Sequence, residues 1–236
     1  MGQYLFIISL LLFSWQTKQG QSSKPDIGTA SKKETKLVIK KEPGLLEHFV
    51  DSTNIGKPKK NKFELSLFRN SDSSYVILQF YVKSKQNKWL LKQKFNFSAD
   101  DISGCFTELS DFNNDGFKDV TYKSAIAARG ANEVRRLFIY DNNKDQLIYI
   151  KNSENYPNLM YNKKLNCIDA FLVHGGSTTV FLKIEKDSLR EFASINLDDK
   201  INVQLIDKNG NRRYLIRNKK NTFDLYTRFT NFSPLE

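Results

Sequence analysis

The 236-residue chain carries only two cysteines, which excludes a disulfide-dense miniprotein and a four-cysteine zinc module. Two histidines, His48 and His174, leave little for an imidazole-based metal or acid–base centre. Glycine, proline and alanine are scarce, whereas phenylalanine (18) and tyrosine (10) are plentiful, a balance that leans towards strands over helices. Beyond the first residues no apolar run is long enough to cross a membrane as a helix. What is present is enough to fold. At 39% hydrophobic and 27% charged residues the chain is too apolar to be disordered, and its length allows one large domain or two small ones.

The formal charge of +11 is unevenly spread. Between Lys32 and Lys94 there are 15 basic and 6 acidic residues, whereas Phe95 to Glu236 holds 20 against 19. Much of the excess is lysine, in runs such as Lys57-Pro58-Lys59-Lys60. Lysine point charges attract anionic surfaces without selecting among them. A solvated linker and exposed strand faces account for this pattern, and an anionic polymer or acidic protein is the alternative.

The apolar run Tyr4–Trp15 is too short to span a bilayer and has the length of a signal-peptide core. A polar, Ser/Lys-rich stretch follows, with Gly20 the nearest candidate for cleavage. The reading is a signal peptide over 1–20, a basic linker over 21–43 and one β-rich domain over 44–236, exported to the periplasm or secreted. In an oxidising compartment Cys105 and Cys167 either form a disulfide or remain as two buried thiols.

Gly44–Val50 reads as a short helix. The remainder has the rhythm of an antiparallel β protein, with short apolar runs broken by Asn, Asp, Gly and Ser clusters. Phe63–Leu67, Tyr75–Val82 and Trp89–Phe97 are expected strands, followed by Asp119–Lys123, Arg136–Tyr140, Gln146–Lys151 and Asn166–Val173. Thr178–Glu185, Leu189–Leu197, Asn202–Ile206 and Arg213–Arg217 complete the set, with Lys208-Asn209-Gly210-Asn211 as a hairpin turn. The fold class is all-β, an antiparallel sandwich or partly closed barrel.

One motif carries chemistry. In Asp111-Phe112-Asn113-Asn114-Asp115-Gly116-Phe117-Lys118-Asp119, oxygen-bearing side chains fall at loop positions 1, 3, 5 and 9, with glycine at 6. That spacing matches the first part of a calcium loop, because calcium takes six to eight hard oxygens and Gly116 permits the sharp bend. The ligand set is Asp111, Asn113, Asp115, Asp119 and the backbone carbonyl of Phe117, and the ion is Ca2+ in a structural role. Tyr122 stands where the bidentate glutamate of the full motif would be. An Asp/Asn-rich turn that binds nothing is the competing account.

Through Asp111, Asn113, Asp115, Gly116 and Asp119, with the aromatic strand ending in Tyr140-Asp141 and the later Gly175-Gly176 turn, the segment from Glu108 to about Ile195 resembles secreted bacterial proteins with a calcium loop of the FG-GAP/VCBS type. More narrowly it resembles the group related to the periplasmic inhibitor of i-type lysozyme. The resemblance implies an all-β fold, calcium at this loop, and in some members a loop that plugs the cleft of a lysozyme. That inhibitory loop is of Ser-Gly-x-x-Tyr type. The comparable stretch here, Ala128-Arg129-Gly130-Ala131-Asn132-Glu133, lacks both the serine and the tyrosine. Arg129, Gly130, Asn132 and Glu133 then form a partner-binding loop, with Arg129 suited to the acidic cleft of a glycosidase.

No catalytic constellation stands out. His174-Gly175-Gly176-Ser177 reads as a turn, and nothing in the spacing of Glu108 and Asp169 singles them out as a carboxylate pair. Tyr75, Phe80, Tyr81, Trp89 and Phe95 are interleaved with Lys83, Lys85, Lys92 and Lys94. The plain account is an aromatic face in the core and a lysine face in water, and the alternative is a stacking surface for a glycan. The sequence therefore predicts a non-enzymatic, exported binding protein. Its expected target is an envelope peptidoglycan hydrolase, or else a glycan or the cell surface, with no nucleic acid and no membrane insertion after signal removal.

Overall fold

In the first sheet, β2 (Asn61–Arg69) and β3 (Ser74–Lys83) alternate strictly. Phe63, Leu65, Leu67, Val76, Leu78 and Phe80 are fully buried, while Lys62, Glu64, Ser66, Ile77 and Gln79 between them are part-exposed. A period of two buries one face of a sheet and wets the other. β1 (Gly44–Asp51) and β4 (Trp89–Ala99) flank this pair in the order β1-β2-β3-β4. In this computed structural model the described residues are 44–71, 73–99 and 102–234, so the signal and linker segments expected from the sequence lie outside them. The described residues belong to one unit, Lys40–Glu236.

The second sheet is β5 (Glu108–Ser110), β6 (Asp119–Ala127), β7 (Asn132–Asp141) and β8 (Gln146–Ile150), in that order. Both of its faces are covered. Val120, Tyr122, Phe138 and Tyr140 enter a core shared with the first sheet. Leu137, Ile139 and Ile150 enter another shared with the third. Double coverage explains why Asp119–Ser124 is buried at six consecutive positions, where the alternation of a one-faced strand disappears.

The third sheet runs β14-β13-β12-β11-β10-β9, with β9 (Met160–Asn162), β10 (Cys167–Val173), β11 (Ser177–Glu185), β12 (Ser188–Leu197), β13 (Lys200–Ile206) and β14 (Arg212–Lys220). Its far face carries a third core, of Phe181, Ala193, Ile195, Leu197, Ile201 and Val203, closed by Phe229 from the C-terminal segment. That segment is held by Arg228, which forms an ion pair with the buried Asp169, and by Ser177 Oγ donating to the Leu225 carbonyl at 2.6 Å. The protein is thus all-β with three antiparallel sheets, and every strand in them pairs with its neighbour in sequence. The tight connections use positive φ at Asn87, Asp145, Lys186 and Gly210.

Three side-chain amides join the sheets. Gln93 in β4 donates to the Leu147 carbonyl at 2.9 Å and accepts from the Leu147 N–H at 2.7 Å. Asn132 makes the same pair of bonds with Val173, at 2.9 and 2.8 Å. Asn152 does so with Leu189, at 2.8 and 2.7 Å. Each backbone residue so engaged lies on a strand edge with no neighbouring strand at that point. A carboxamide offers one donor side and one acceptor, which matches the N–H and C=O that a strand edge leaves open. The first and second sheets are also linked through Asp145, which accepts from Asn61 Nδ2 at 2.8 Å and the Tyr140 hydroxyl at 2.6 Å.

Two sequence expectations change. Gly44–Val50 is a strand, not a helix: it pairs along β2 from Gly44↔Arg69 to Asp51↔Phe63, with a bulge between Leu45 and Glu47. Leu45 and Phe49 lie four residues apart, which suggests a helix, but the open edge of β2 supplies hydrogen-bond partners that local propensity cannot foresee. Of the two fates open to the cysteines, the structure has free thiols. Cys105 lies in the core between the first and second sheets and Cys167 on the far face of the third, so no bridge joins them.

Two measurements test this arrangement. Asn152→Ala leaves the Leu189 N–H and C=O unpaired, and urea unfolding should show a loss of about 2–3 kcal/mol, against almost none for Gln86→Ala in an exposed turn. Burial, followed by the charge of Glu47, pushes the Cys105 thiol up to about 12. Burial, followed by Asp169, pushes Cys167 to about 11. At pH 8 neither is a thiolate, so iodoacetamide should leave the native protein unmodified and label two thiols in denaturant.

Candidate functional site

The acidic loop connects β5 to β6 where Ser110 pairs with Asp119. Its side chains hold its own backbone. Asp111 accepts from the Asp115 N–H at 3.1 Å and the Gly116 N–H at 2.9 Å, and Asp115 accepts from the Phe117 N–H at 2.9 Å. Asn113 accepts from the Asp115 N–H at 3.2 Å and donates to the Asp115 carboxylate at 2.9 Å. Asn114 and Gly116 take positive φ, 58° and 88°, which tightens the turn. A side chain at Gly116 would meet open space, so backbone conformation and not crowding is the demand for glycine there.

Asp119 differs from the others in being fully buried. One carboxylate oxygen accepts from the Phe112 N–H at 2.7 Å and the other from the Tyr140 N–H at 2.8 Å, tying the start of the loop to β7. Burial pushes its carboxyl up to about 7, the two backbone bonds pull it back, and the charges of Asp115 and Asp111 add to the rise. The far end of the loop is anchored too. The Phe117 ring packs on Tyr140 at 5.5 Å, and the Gly56 N–H donates to the Lys118 carbonyl at 3.1 Å.

The five positions expected to hold calcium therefore share one loop, and their donors are hard oxygens, which suits that ion. Among the described residues, however, no three or more His, Cys, Asp or Glu side chains converge as a metal cluster. Each carboxylate is instead turned onto backbone N–H groups.

The expected partner loop is the connection between β6 and β7. Ala128, Arg129 and Gly130 all have positive φ (49°, 55° and 99°), and Ile126–Ala131 is exposed. Two successive non-glycine residues in the left-handed region are strained. Of the four residues expected there, Arg129 and Gly130 occupy the exposed tip. Asn132 is spent on Val173, and Glu133 on an ion pair with Arg135. Those two stand at the base of the hairpin, with the Glu133 side chain still part-exposed.

The acids considered for catalysis are separately engaged. Asp169 is paired with Arg228 and bonded by Asn162 Nδ2 at 2.8 Å, and Glu108 lies 3.5 Å from Arg135. The His174 turn is structural. His174 is 3.0 Å from the Thr178 hydroxyl and 3.2 Å from the Gly176 N–H. Gly176 approaches the Leu197 carbonyl so closely that a Cβ would lie 2.0 Å from it.

The aromatic and basic residues of the first half divide in a way the plain sequence account did not foresee. Phe80 and Phe95 point into the core between the sheets. Tyr75, Tyr81 and Trp89 are half-buried on the opposite, outward face and mix with lysines there. Lys62 Nζ lies 4.1 Å from the Tyr81 ring centre and 5.7 Å from that of Trp89, and Lys83 Nζ lies 5.0 Å from Trp89. At the other end of the face Phe68 stacks on Tyr75 at 5.2 Å. Six residues of extended strand, about 20 Å, separate Tyr75 from Tyr81. Sequence reading missed Lys62 and Phe68, although their alternation with buried Phe63 and Leu67 carries the signal.

Among the described residues no helix is long and apolar enough to cross a membrane. The chain matches no protein-family model and no curated protein. Among solved structures it is similar to a Xanthomonas protein described as related to a type IV secretion system, at 10% identity, covering 73% of this chain and 94% of that one, with a TM-score of 0.46.

Proposed function

We propose that the chain is an exported binding protein of the cell envelope that takes an anionic glycan or glycan-coated surface on the outward face of its first sheet. The observation that carries this reading is the Lys62–Tyr81–Trp89–Lys83 cluster at one end of that face, with Phe68–Tyr75 about 20 Å away at the other. Flat rings on a rigid sheet offer apolar platforms to sugar faces, and lysines beside them attract carboxylate or phosphate substituents. Asn61–Ala99 has seven basic residues and two acidic ones, so the field around the platform favours anions. Glu64, whose carboxylate pairs with Lys62 and accepts from the Tyr81 hydroxyl at 3.1 Å, fixes the two contact groups in place.

Calcium is part of the proposal as a structural ion at Asp111, Asn113, Asp115, the Phe117 carbonyl and Asp119. The ion would supply positive charge to offset the charges of Asp115 and Asp111 that act on Asp119. Asp119, already driven towards its neutral form by burial, would then stay ionised and keep its bonds to Phe112 and Tyr140.

A second reading, inhibition of a peptidoglycan hydrolase, is supported by the strained, exposed tip at Ala128–Gly130, where Arg129 would supply a cation for an acidic cleft.

Retention of the purified protein on immobilised alginate should be salt-sensitive, stronger than on neutral dextran, and at least tenfold weaker for Trp89→Ala and Lys83→Gln. Retention indifferent to both variants and to salt would remove the glycan reading. Muramidase turnover that falls on adding the protein and recovers with Arg129→Ala would favour the hairpin instead. Separately, millimolar calcium should raise the melting temperature over that in chelator by roughly 5–10 °C at a hundredfold excess over Kd, and coincident curves would count against the ion.

A further inference from the structure

The near-neutral average of the second half conceals a strongly basic hairpin. From Lys200 to Lys220, spanning β13 and β14, there are seven basic residues and one acid, Asp207. Among the described residues β14 is the last strand of its sheet and pairs only with β13. Beside it lies an open hollow of about 480 Å³, lined by Phe192, Leu205, Ile206 and Phe232 and bounded by Asp207, Asn211, Arg212 and Arg213. Arg213 stands opposite Leu205, on the face of the floor, whereas Arg212 stands opposite Ile206 and bonds Gln204 on the other face. The rings of Phe192 and Phe232 meet edge to face at 6.1 Å, giving an apolar floor of fixed shape.

We propose that this hollow binds an anionic amphiphile, its alkyl or acyl chain on the Phe192–Leu205–Phe232 floor and its phosphate or carboxylate head on Arg213. The volume falls in the range of small-molecule sites, which combine an apolar lining with a few polar groups. Guanidinium forks match carboxylate and phosphate oxygens in pairs. Arg213 makes no ion pair among the described residues, and Arg212 makes one bond, to the Gln204 side chain at 3.0 Å. The one opposing charge is spent on the turn: Asp207 accepts from the N–H groups of Asn209 and Asn211 and from the Asn211 side chain, at 2.8–2.9 Å. Basic residues also guard an edge strand against pairing with another chain, which accounts for Lys219 and Lys220 but not for an aromatic hollow beneath Arg213.

The test is calorimetry on the full chain with dodecyl phosphate below its micellar concentration. Saturable binding is expected, at least tenfold tighter than for dodecyl maltoside or inorganic phosphate, and at least tenfold weaker in R212Q/R213Q. The double variant should melt with the wild type, because both side chains are exposed. R213Q alone, which breaks no bond among the described residues, should show the same loss, and R212Q alone, on the other face, should bind as the wild type does. Equal affinity for the two detergents, or dodecyl phosphate binding unaffected by R212Q/R213Q, would overturn the proposal. Trp89→Ala should leave this binding unchanged, which separates its failure from failure of the glycan reading. Flotation with phosphatidylglycerol but not phosphatidylcholine vesicles would identify the ligand as a membrane lipid. Dodecyl phosphate binding without flotation would identify a free amphiphile.

Discussion

Three carboxamides, Gln93, Asn132 and Asn152, hold the layers in register by pairing with Leu147, Val173 and Leu189 at strand edges. Apolar contact between sheets is non-directional and tolerates sliding, whereas a two-point amide bond fixes one position. The clamps matter because the second sheet is covered on both sides, so a slip at either interface would displace Phe138 and Tyr140 on one side or Leu137 and Ile139 on the other. Loops that project from this stack inherit its rigidity. The acidic loop is moored to β7 through Asp119, and the β6–β7 hairpin to β10 through Asn132.

Rigidity also bears on binding. Tyr81 and Trp89, both beside Lys62, and the stacked Phe68 and Tyr75 are carried by paired strands, so their spacing is set by the sheet. Pre-ordered rings lose little freedom on contact, which is where a shallow surface gains affinity. Arg129 works differently, because its conformation is held against a local preference by the short hairpin beneath it.

The fold class and eleven of the strands were legible from alternation and turn residues, since both act over a few neighbouring positions. β1 was not, because its conformation depends on the edge of β2. The fate of the cysteines was not legible either, because only packing assigns Cys105 and Cys167 to different cores. For the acidic loop, the spacing located the residues, but that Asp119 turns inward while Asp111 and Asp115 bond the turn follows from burial. The bonds of Asn132 to Val173 were not legible because that residue lies forty-one positions away, whereas the Glu133–Arg135 pair follows from two residues sharing one strand face. Charge averaged over the whole second half hid the basic β13–β14 hairpin, which a window of twenty residues reveals.

The strict sequence-neighbour pairing within each sheet has a consequence for how the chain comes to be folded. None of the described strands waits for a distant partner, so a chain emerging amino-terminus first can complete the first sheet before the second exists, and the second before the third. The amide clamps and the cores shared between sheets form afterwards, as each new layer docks on the last. Vectorial emergence from a ribosome thus follows the order of the layers.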